Sequence, residues 1–301
     1  MLPLYLEKLS LFELKDRAEK LLERQKECRL CPQFCLVKRE MGEVGECRST
    51  CELKISSAGP HFGEEPPLVG TNGSGTIFLS NCNLSCEFCQ NYDISHLGIG
   101  STTSIEELAS VMLKLQNLGC HNINFVTPTH FTPQIVQALI LSIETGLEIP
   151  LVYNCGGYES IETLRLLDGI IDIYMPDIKY SDNSNAEKYS NAPDYWETVK
   201  LAVKEMHSQV GDLKISKRGI AQRGLLIRHL ILPNGISGSE QVIDFIAEEI
   251  STGTYINIMD QYHPTFRASK HTELNRRITR EILLAVVRYA KSKGLHRGLY
   301  D

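Results

Sequence analysis

From residue 76 onward, short apolar runs alternate with helix-period segments, and this rhythm restricts the fold more than any other feature of the chain. TIFLSN, NINFVT, PLVYN, IIDIYM, LLIRHLIL and YINIMDQY read as six strands. Residues 104–118, 132–145, 159–167, 194–210 and 239–250 read as the helices between them. Such alternation implies parallel strands joined by right-handed crossovers. Six βα units are too few to close an eight-stranded barrel, so the expected fold is α/β, an open partial (β/α)6 barrel. In such folds the chemistry sits at the carboxyl ends of the strands. Ser237 and Glu240 have the spacing of a capping box before VIDFIAEEI. Ahead of the barrel, residues 1–27 read as a helix with an apolar stripe at Leu11, Leu14, Ala18, Leu21 and Leu22. Residues 28–75 are rich in Cys, Gly and Pro and read as irregular, and residues 271–293 read as a closing helix. The expected parts are a helix and Cys-rich segment (1–68), the barrel (69–265) and a helical extension (266–301).

The polar residues that follow the strands carry the chemistry. Directly after TIFLSN comes Cys82-Asn-Leu-Ser-Cys86-Glu-Phe-Cys89, a C-x3-C-x2-C loop. Four thiolates are the usual complement of a [4Fe–4S] cluster, so three would leave one iron without a protein ligand. An open coordination position is what a metal site needs to bind a substrate directly. The competing reading is a zinc knuckle, which usually uses C-x2-C pairs and fits the x3 gap poorly. A second group, Cys28-x2-Cys31-x3-Cys35 followed by Cys47, has spacing suited to a metal, with Cys51 as a spare. It could form a closed Zn²⁺ site or hold a second iron–sulfur cluster. Eight of ten cysteines thus fall in two tight groups, which favours metal or redox chemistry over a disulfide framework.

Composition removes other classes. A formal charge of −6 gives no support for a nucleic-acid partner. No apolar run approaches the ~18 residues of a membrane span. The first residues carry acids among apolar side chains and lack a signal-peptide pattern, so a cytoplasmic protein without membrane or nucleic-acid partners is expected.

The wording TIFLSNCNLSCEFCQN, then MPDIK, then QYHP, resembles the radical S-adenosylmethionine (radical SAM) superfamily over about residues 70–265. Within it the chain is similar to the pyruvate formate-lyase activating enzyme-like branch, and in particular to that branch's uncharacterised iron–sulfur proteins. The resemblance implies a TIM-like partial barrel in which Cys82, Cys86 and Cys89 ligate a [4Fe–4S] cluster. The open iron would bind the amino and carboxylate groups of SAM. One electron would cleave the S–C5′ bond, giving methionine and a 5′-deoxyadenosyl radical that abstracts hydrogen from a substrate. Phe88 occupies the family's aromatic position near the adenine. Asp177 and Lys179, two apart on an extended chain, match the branch's D-x-K segment and would bind the methionine end of SAM. Asn154 approximates a T-N-G segment, and His263 stands where activating enzymes carry a Y-H pair near the SAM carboxylate. Thr127 and Thr129 replace the usual G-G-E segment and could supply hydroxyl and carbonyl partners.

Other residues stay open at this level. Arg228 and His229 lie on one strand, one facing inward and one outward. His61-Phe62-Gly63-Glu64-Glu65-Pro66-Pro67 is either a mouth-lining segment or an exposed linker. Cys120 and Cys155 read as small core residues. The enzyme readings are hydrogen abstraction from a protein glycine, or modification of another peptide or small molecule. Either needs a low-potential electron donor such as a flavodoxin or ferredoxin. The contrasting reading is a non-catalytic iron–sulfur electron carrier, which has no use for an open iron.

Overall fold

The apolar runs read above form one parallel array in the computed structural model, which describes residues 1–299. In chain order the elements begin α1 (Leu4–Glu7), α2 (Leu11–Lys26), β1 (Lys54–His61), α3 (Pro66–Val69), β2 (Ser74–Leu79), α4 (Tyr92–Ser95) and β3 (Ser101–Thr102). They continue with α5 (Ile105–Asn117), β4 (Ile123–Val126), α6 (Thr132–Glu144), β5 (Leu151–Cys155), α7 (Ile161–Leu166), β6 (Ile173–Ile178) and α8 (Asn183–Ser190). The remainder are α9 (Tyr195–Val210), β7 (Lys214–Ile215), β8 (Ala221–Leu230), α10 (Ser239–Phe245), β9 (Tyr255–Met259) and α11 (Arg280–Ser292). Residues 300 and 301, the end of the expected C-terminal part, lie outside the described residues.

The strand order β2-β4-β5-β6-β8-β9 is parallel throughout, the partial barrel expected from the βα rhythm. β1 pairs antiparallel with the free edge of β2, so β2 and β9 do not meet and the barrel stays open. Parallel strands are covered on both faces, which is why β4 and β5 are near-continuous apolar runs. Cys120 and Cys155 are buried in the core, as expected.

Local chemistry sets the helix starts. Ser10 and Ser104 each form a capping box, with Glu13 and Glu107 respectively, at α2 and α5. α2 buries Leu14, Ala18 and Leu21, while Leu11 stays exposed at the helix start. The expected capping box at Ser237 does not form. Its hydroxyl accepts instead from the Leu232 amide at 2.5 Å, and α10 begins after Gly238, whose φ of +61° stops the chain from extending the cap. α10 then widens into a π-helical turn over Ile246–Ile250, within the span expected to be helical. The closing helix starts at Arg280, nine residues later than the sequence pattern suggests. Among the described residues no helix is long and apolar enough to cross a membrane.

Candidate metal and cofactor site

The carboxyl ends of β2, β4, β5, β6, β8 and β9 converge on two adjoining cavities of about 170 and 370 Å³. The register explains the convergence. Asn154 of β5 lies beside Val126 of β4, and Asp177 of β6 lies beside Arg228 of β8. All these positions share the inward side of the pleat.

Cys82, Cys86 and Cys89 all line the smaller cavity, and Cys86 and Cys89 also face the larger one. The loop that carries them, together with α4 and α8, supplies polar contacts to sulfur. The Leu84 amide donates to Cys82 Sγ at 3.4 Å, and Ser190 Oγ donates to Cys86 Sγ at 3.1 Å. Cys89 Sγ and Ser95 Oγ are 3.1 Å apart. Burial raises the Cys86 thiol to about 11, and the Lys179 ammonium works against that rise. Burial likewise pushes the Cys82 thiol up, with the charge of Cys86 adding to it. Thiols in this state ionise by binding a metal, which displaces the proton.

A chain of ionic and hydrogen-bonding side chains runs along the other wall. Arg228 Nε donates to Asp177 Oδ1 at 2.7 Å, and the Arg228 guanidinium reaches Asn154 Oδ1 at 2.7 Å. Lys179 Nζ donates to Asp177 Oδ2 at 2.5 Å. Glu64 Oε2 stands 3.6 Å from Arg228, and the four charged side chains are between 8% and 17% exposed. Burial alone would raise the Asp177 carboxyl, but Arg228 and Lys179 overcome it and hold the group below its ordinary range. Burial also acts against the Lys179 charge, and Asp177 reverses that and raises the ammonium. Next to this chain Asn257 Nδ2 bridges both oxygens of Glu65, at 2.8 and 3.0 Å.

The structure brings most of the expected site residues together. Asn154, Asp177 and Lys179 line both cavities, and Thr127 lines the smaller. Thr127 has φ +60°, an uncommon backbone for a β-branched residue, and its amide donates to the Asn154 carbonyl at 2.8 Å. Phe88 lines the larger cavity and packs edge-on against Tyr180 and Tyr262. Two expectations are not met by the placement. Thr129 is fully buried behind the wall, and its hydroxyl donates to Glu159 Oε1 at 2.7 Å. His263 is exposed and lines neither cavity, with its Nδ1 3.4 Å from Gln90 Nε2, because the chain turns outward after β9 and leaves Tyr262 to face in. Arg228, left undecided between inward and outward, is the hub of the wall, while His229 faces the core and meets Ile178 O and Ser239 Oγ, each at 2.8 Å. His61, Gly63 and Glu64 line the larger cavity, so that segment borders the mouth.

Of the N-terminal cysteines, Cys28, Cys31 and Cys47 are buried and Cys35 is half-buried. Burial holds the Cys31 thiol well above its ordinary range, and the charges of Cys47, Cys28 and Cys35 push the same way. Among the described residues no three His, Cys, Asp or Glu side chains form a group that could hold a single metal ion.

Comparison with known proteins agrees with this arrangement. Residues 76–220 match the family described as the Radical SAM superfamily, a span that runs from within β2 to the residue before β8. Two similar proteins come from Methanocaldococcus jannaschii, both named only as uncharacterized proteins. One is 31% identical over 284 residues, covering 92% of this chain and 77% of its own. The other is 23% identical over 270 residues, covering 83% and 74%. The chain belongs to the radical SAM superfamily, whose members use a [4Fe–4S] cluster and SAM.

Proposed function

We propose that this chain abstracts a hydrogen atom from a protein or peptide substrate, in the manner of a glycyl-radical activating enzyme. The observation that carries the reading is the meeting of three cysteine thiols with the Asn154–Arg228–Asp177–Lys179 chain around two joined cavities at one end of the strands. Cys82, Cys86 and Cys89 are the residues to hold the barrel cluster. When bound and reduced, that cluster supplies the electron that cleaves SAM to methionine and a 5′-deoxyadenosyl radical.

The chain's own residues do the rest. Asp177, held ionised by two cations, accepts hydrogen bonds from the ammonium of the methionine end. Lys179 offers its charge to the carboxylate beside it. Asn154, oriented by Arg228, and Thr127, on its strained backbone, fix the edge of the bound molecule. Phe88, clamped by Tyr180 and Tyr262, gives the adenine an apolar wall and excludes water from the reacting centre. The substrate reaches the site through the mouth bordered by His61, Gly63 and Glu64, and a low-potential donor such as a flavodoxin or ferredoxin supplies the electron. In this reading residues 69–265 form the catalytic core, residues 1–68 carry a second metal on Cys28, Cys31, Cys35 and Cys47, and residues 266–301 are a C-terminal extension.

The test is anaerobic. The reconstituted, reduced protein is given SAM, and 5′-deoxyadenosine is measured beside the Cys86→Ala variant. Product that vanishes in the variant is expected. Equal product from both, or none from an intact and reducible cluster with or without added peptide, would sink the reading.

A further inference from the structure

We propose that two serine hydroxyls, Ser190 at the end of α8 and Ser95 at the end of α4, donate hydrogen bonds to the Cys86 and Cys89 sulfurs and set the reduction potential of the barrel cluster. Their role rests on Cys82, Cys86 and Cys89 holding that cluster.

Each hydroxyl lies at contact distance from one sulfur. Ser190 Oγ stands 3.1 Å from Cys86 Sγ, and Ser95 Oγ stands 3.1 Å from Cys89 Sγ. A free thiol can donate or accept, but a sulfur that ligates iron has lost its proton and only accepts. Ligation therefore makes both hydroxyls donors. Ser190 has one proton to give, so the Tyr180 hydroxyl, 2.7 Å from Ser190 Oγ, must in turn donate to it. The result is a directed chain from Tyr180 through Ser190 to Cys86. Tyr180 and Ser190 are fully buried, where hydrogen bonds are electrostatically stronger than in water and polarise one another along a chain.

The backbone holds both serines in place. On either side of Cys86, Ser85 N donates to Ser190 O at 3.0 Å and Glu87 N donates to Tyr189 O at 2.8 Å. The cysteine loop is thus tied to the end of α8 around the residue whose sulfur Ser190 meets. Ser95 is fixed at both of its backbone groups. Its amide donates to Asn91 O at 2.9 Å, and the Arg48 guanidinium donates to its carbonyl at 2.9 Å. One residue earlier, Ile94 O accepts from the amide of Asn81, the neighbour of Cys82, at 3.0 Å. That bond fastens α4 back onto the start of the cysteine loop.

A reduced cluster carries one more negative charge than the oxidised one, and its sulfurs share that charge. A hydrogen-bond donor to sulfur therefore favours the reduced state and raises the potential. Cys82 takes its contact from the Leu84 amide of its own loop, at 3.4 Å. The two shorter contacts come from side chains on separate helices, so single substitutions remove them. The electron comes from the low-potential donor and both protons stay on their oxygens, with no bond made or broken.

The test uses the full chain, reconstituted anaerobically with iron and sulfide and titrated without SAM. The electron paramagnetic resonance signal to follow is the one that the Cys82→Ala/Cys86→Ala/Cys89→Ala variant lacks. At the wild-type midpoint, Ser190→Ala is expected to cut the ratio of reduced to oxidised cluster about tenfold, a shift of about 59 mV to lower potential. Ser95→Ala is expected to shift the midpoint the same way, Tyr180→Phe to shift it less, and Ser190→Thr to restore the wild-type value. In heavy water, an exchangeable deuteron coupled to the reduced cluster is expected in wild type and a weaker coupling in Ser190→Ala. Unchanged midpoints in both alanine variants, at wild-type iron content, would overturn the tuning role and leave the barrel cluster intact. Loss of iron from the alanine variants would make the hydroxyls holders of the cluster, and overturns tuning as well. A triple variant that keeps every wild-type signal overturns the barrel reading, and this role with it.

Discussion

Asp177 lies between Arg228 and Lys179, and removing one partner of a buried ion pair leaves charge that the cavity wall cannot solvate. Arg228→Gln strips Asp177 of its closest bidentate-capable partner and frees Glu64 as well. The expected loss is about 3–5 kcal/mol, read as a lower denaturant midpoint, with Arg228→Lys recovering only part because a point charge does not reproduce the fork. Behind the wall, Glu159 accepts from Thr129 and Tyr153, and burial raises its carboxyl from 4.5 to about 7. A raised acid binds more protons folded than unfolded between those values, so its contribution to stability falls as pH rises from 4.5 through 7. The full penalty is about 3 kcal/mol, and Glu159→Gln is expected to flatten this stretch of a melting-temperature profile. His130 and His229 act in the opposite sense: burial lowers them from 6.5 to about 3 and about 4. Their stabilising share is complete above 6.5 and declines as pH falls toward those values. The three barrel cysteines, Asn154, Asp177 and Lys179 were legible because each follows or ends an apolar strand. Thr129 was not, because nothing in the sequence shows that its hydroxyl is claimed by a glutamate thirty residues later. Alternation put either Arg228 or His229 inward, and only the neighbouring Asp177 decides which.

At the scale of elements, the βα rhythm was readable because buried parallel strands must be apolar throughout, and amphipathic helices repeat with their own period. β1 escaped notice for the converse reason. KISSAGPH holds Gly59 and Pro60, lacks alternation, and is a strand because it pairs with the edge of β2. That pairing also blunts an edge that would otherwise be free to associate. The link between β5 and the helix after it depends on Gly157, at φ +77°. A Cβ there would sit 2.6 Å from the Asp177 carbonyl and 2.5 Å from Val199 Cγ2. Gly157→Ala is therefore expected to displace β6 at the very residue that anchors the ion-pair chain. It should cost about 3 kcal/mol or more in urea unfolding, and a variant as stable as wild type would show that the turn has room to shift.

Across the whole molecule the two ends of the barrel have separate tasks. The carboxyl ends of the strands carry the thiols and the ion-pair chain, while the amino ends are sealed by the first residues of the chain. Leu4 N donates to Asp172 Oδ1 at 2.7 Å, and Leu151 N donates to Asp172 Oδ2 at 3.0 Å. Tyr5 OH reaches Ile149 O at 2.9 Å, and Arg223 pairs with Glu7 at 2.5 Å. Leu4 and Tyr5 are fully buried, so α1 acts as a plug over the strand starts. Deleting residues 1–8 would strip Asp172 of one of its two backbone donors and expose the apolar residues beneath. Burial already raises the Asp172 carboxyl to about 7, so losing a donor makes its charged form harder still to hold at neutral pH. The deletion is expected to lower the denaturant midpoint by an amount corresponding to about 3 kcal/mol. At a temperature where the truncated chain is still folded, formation of 5′-deoxyadenosine is expected to stay within about twofold of the full chain, since none of the deleted residues lines either cavity. A large loss of product at unchanged stability would mean that the two ends communicate through the sheet, and that the plug shapes the site as well as the fold.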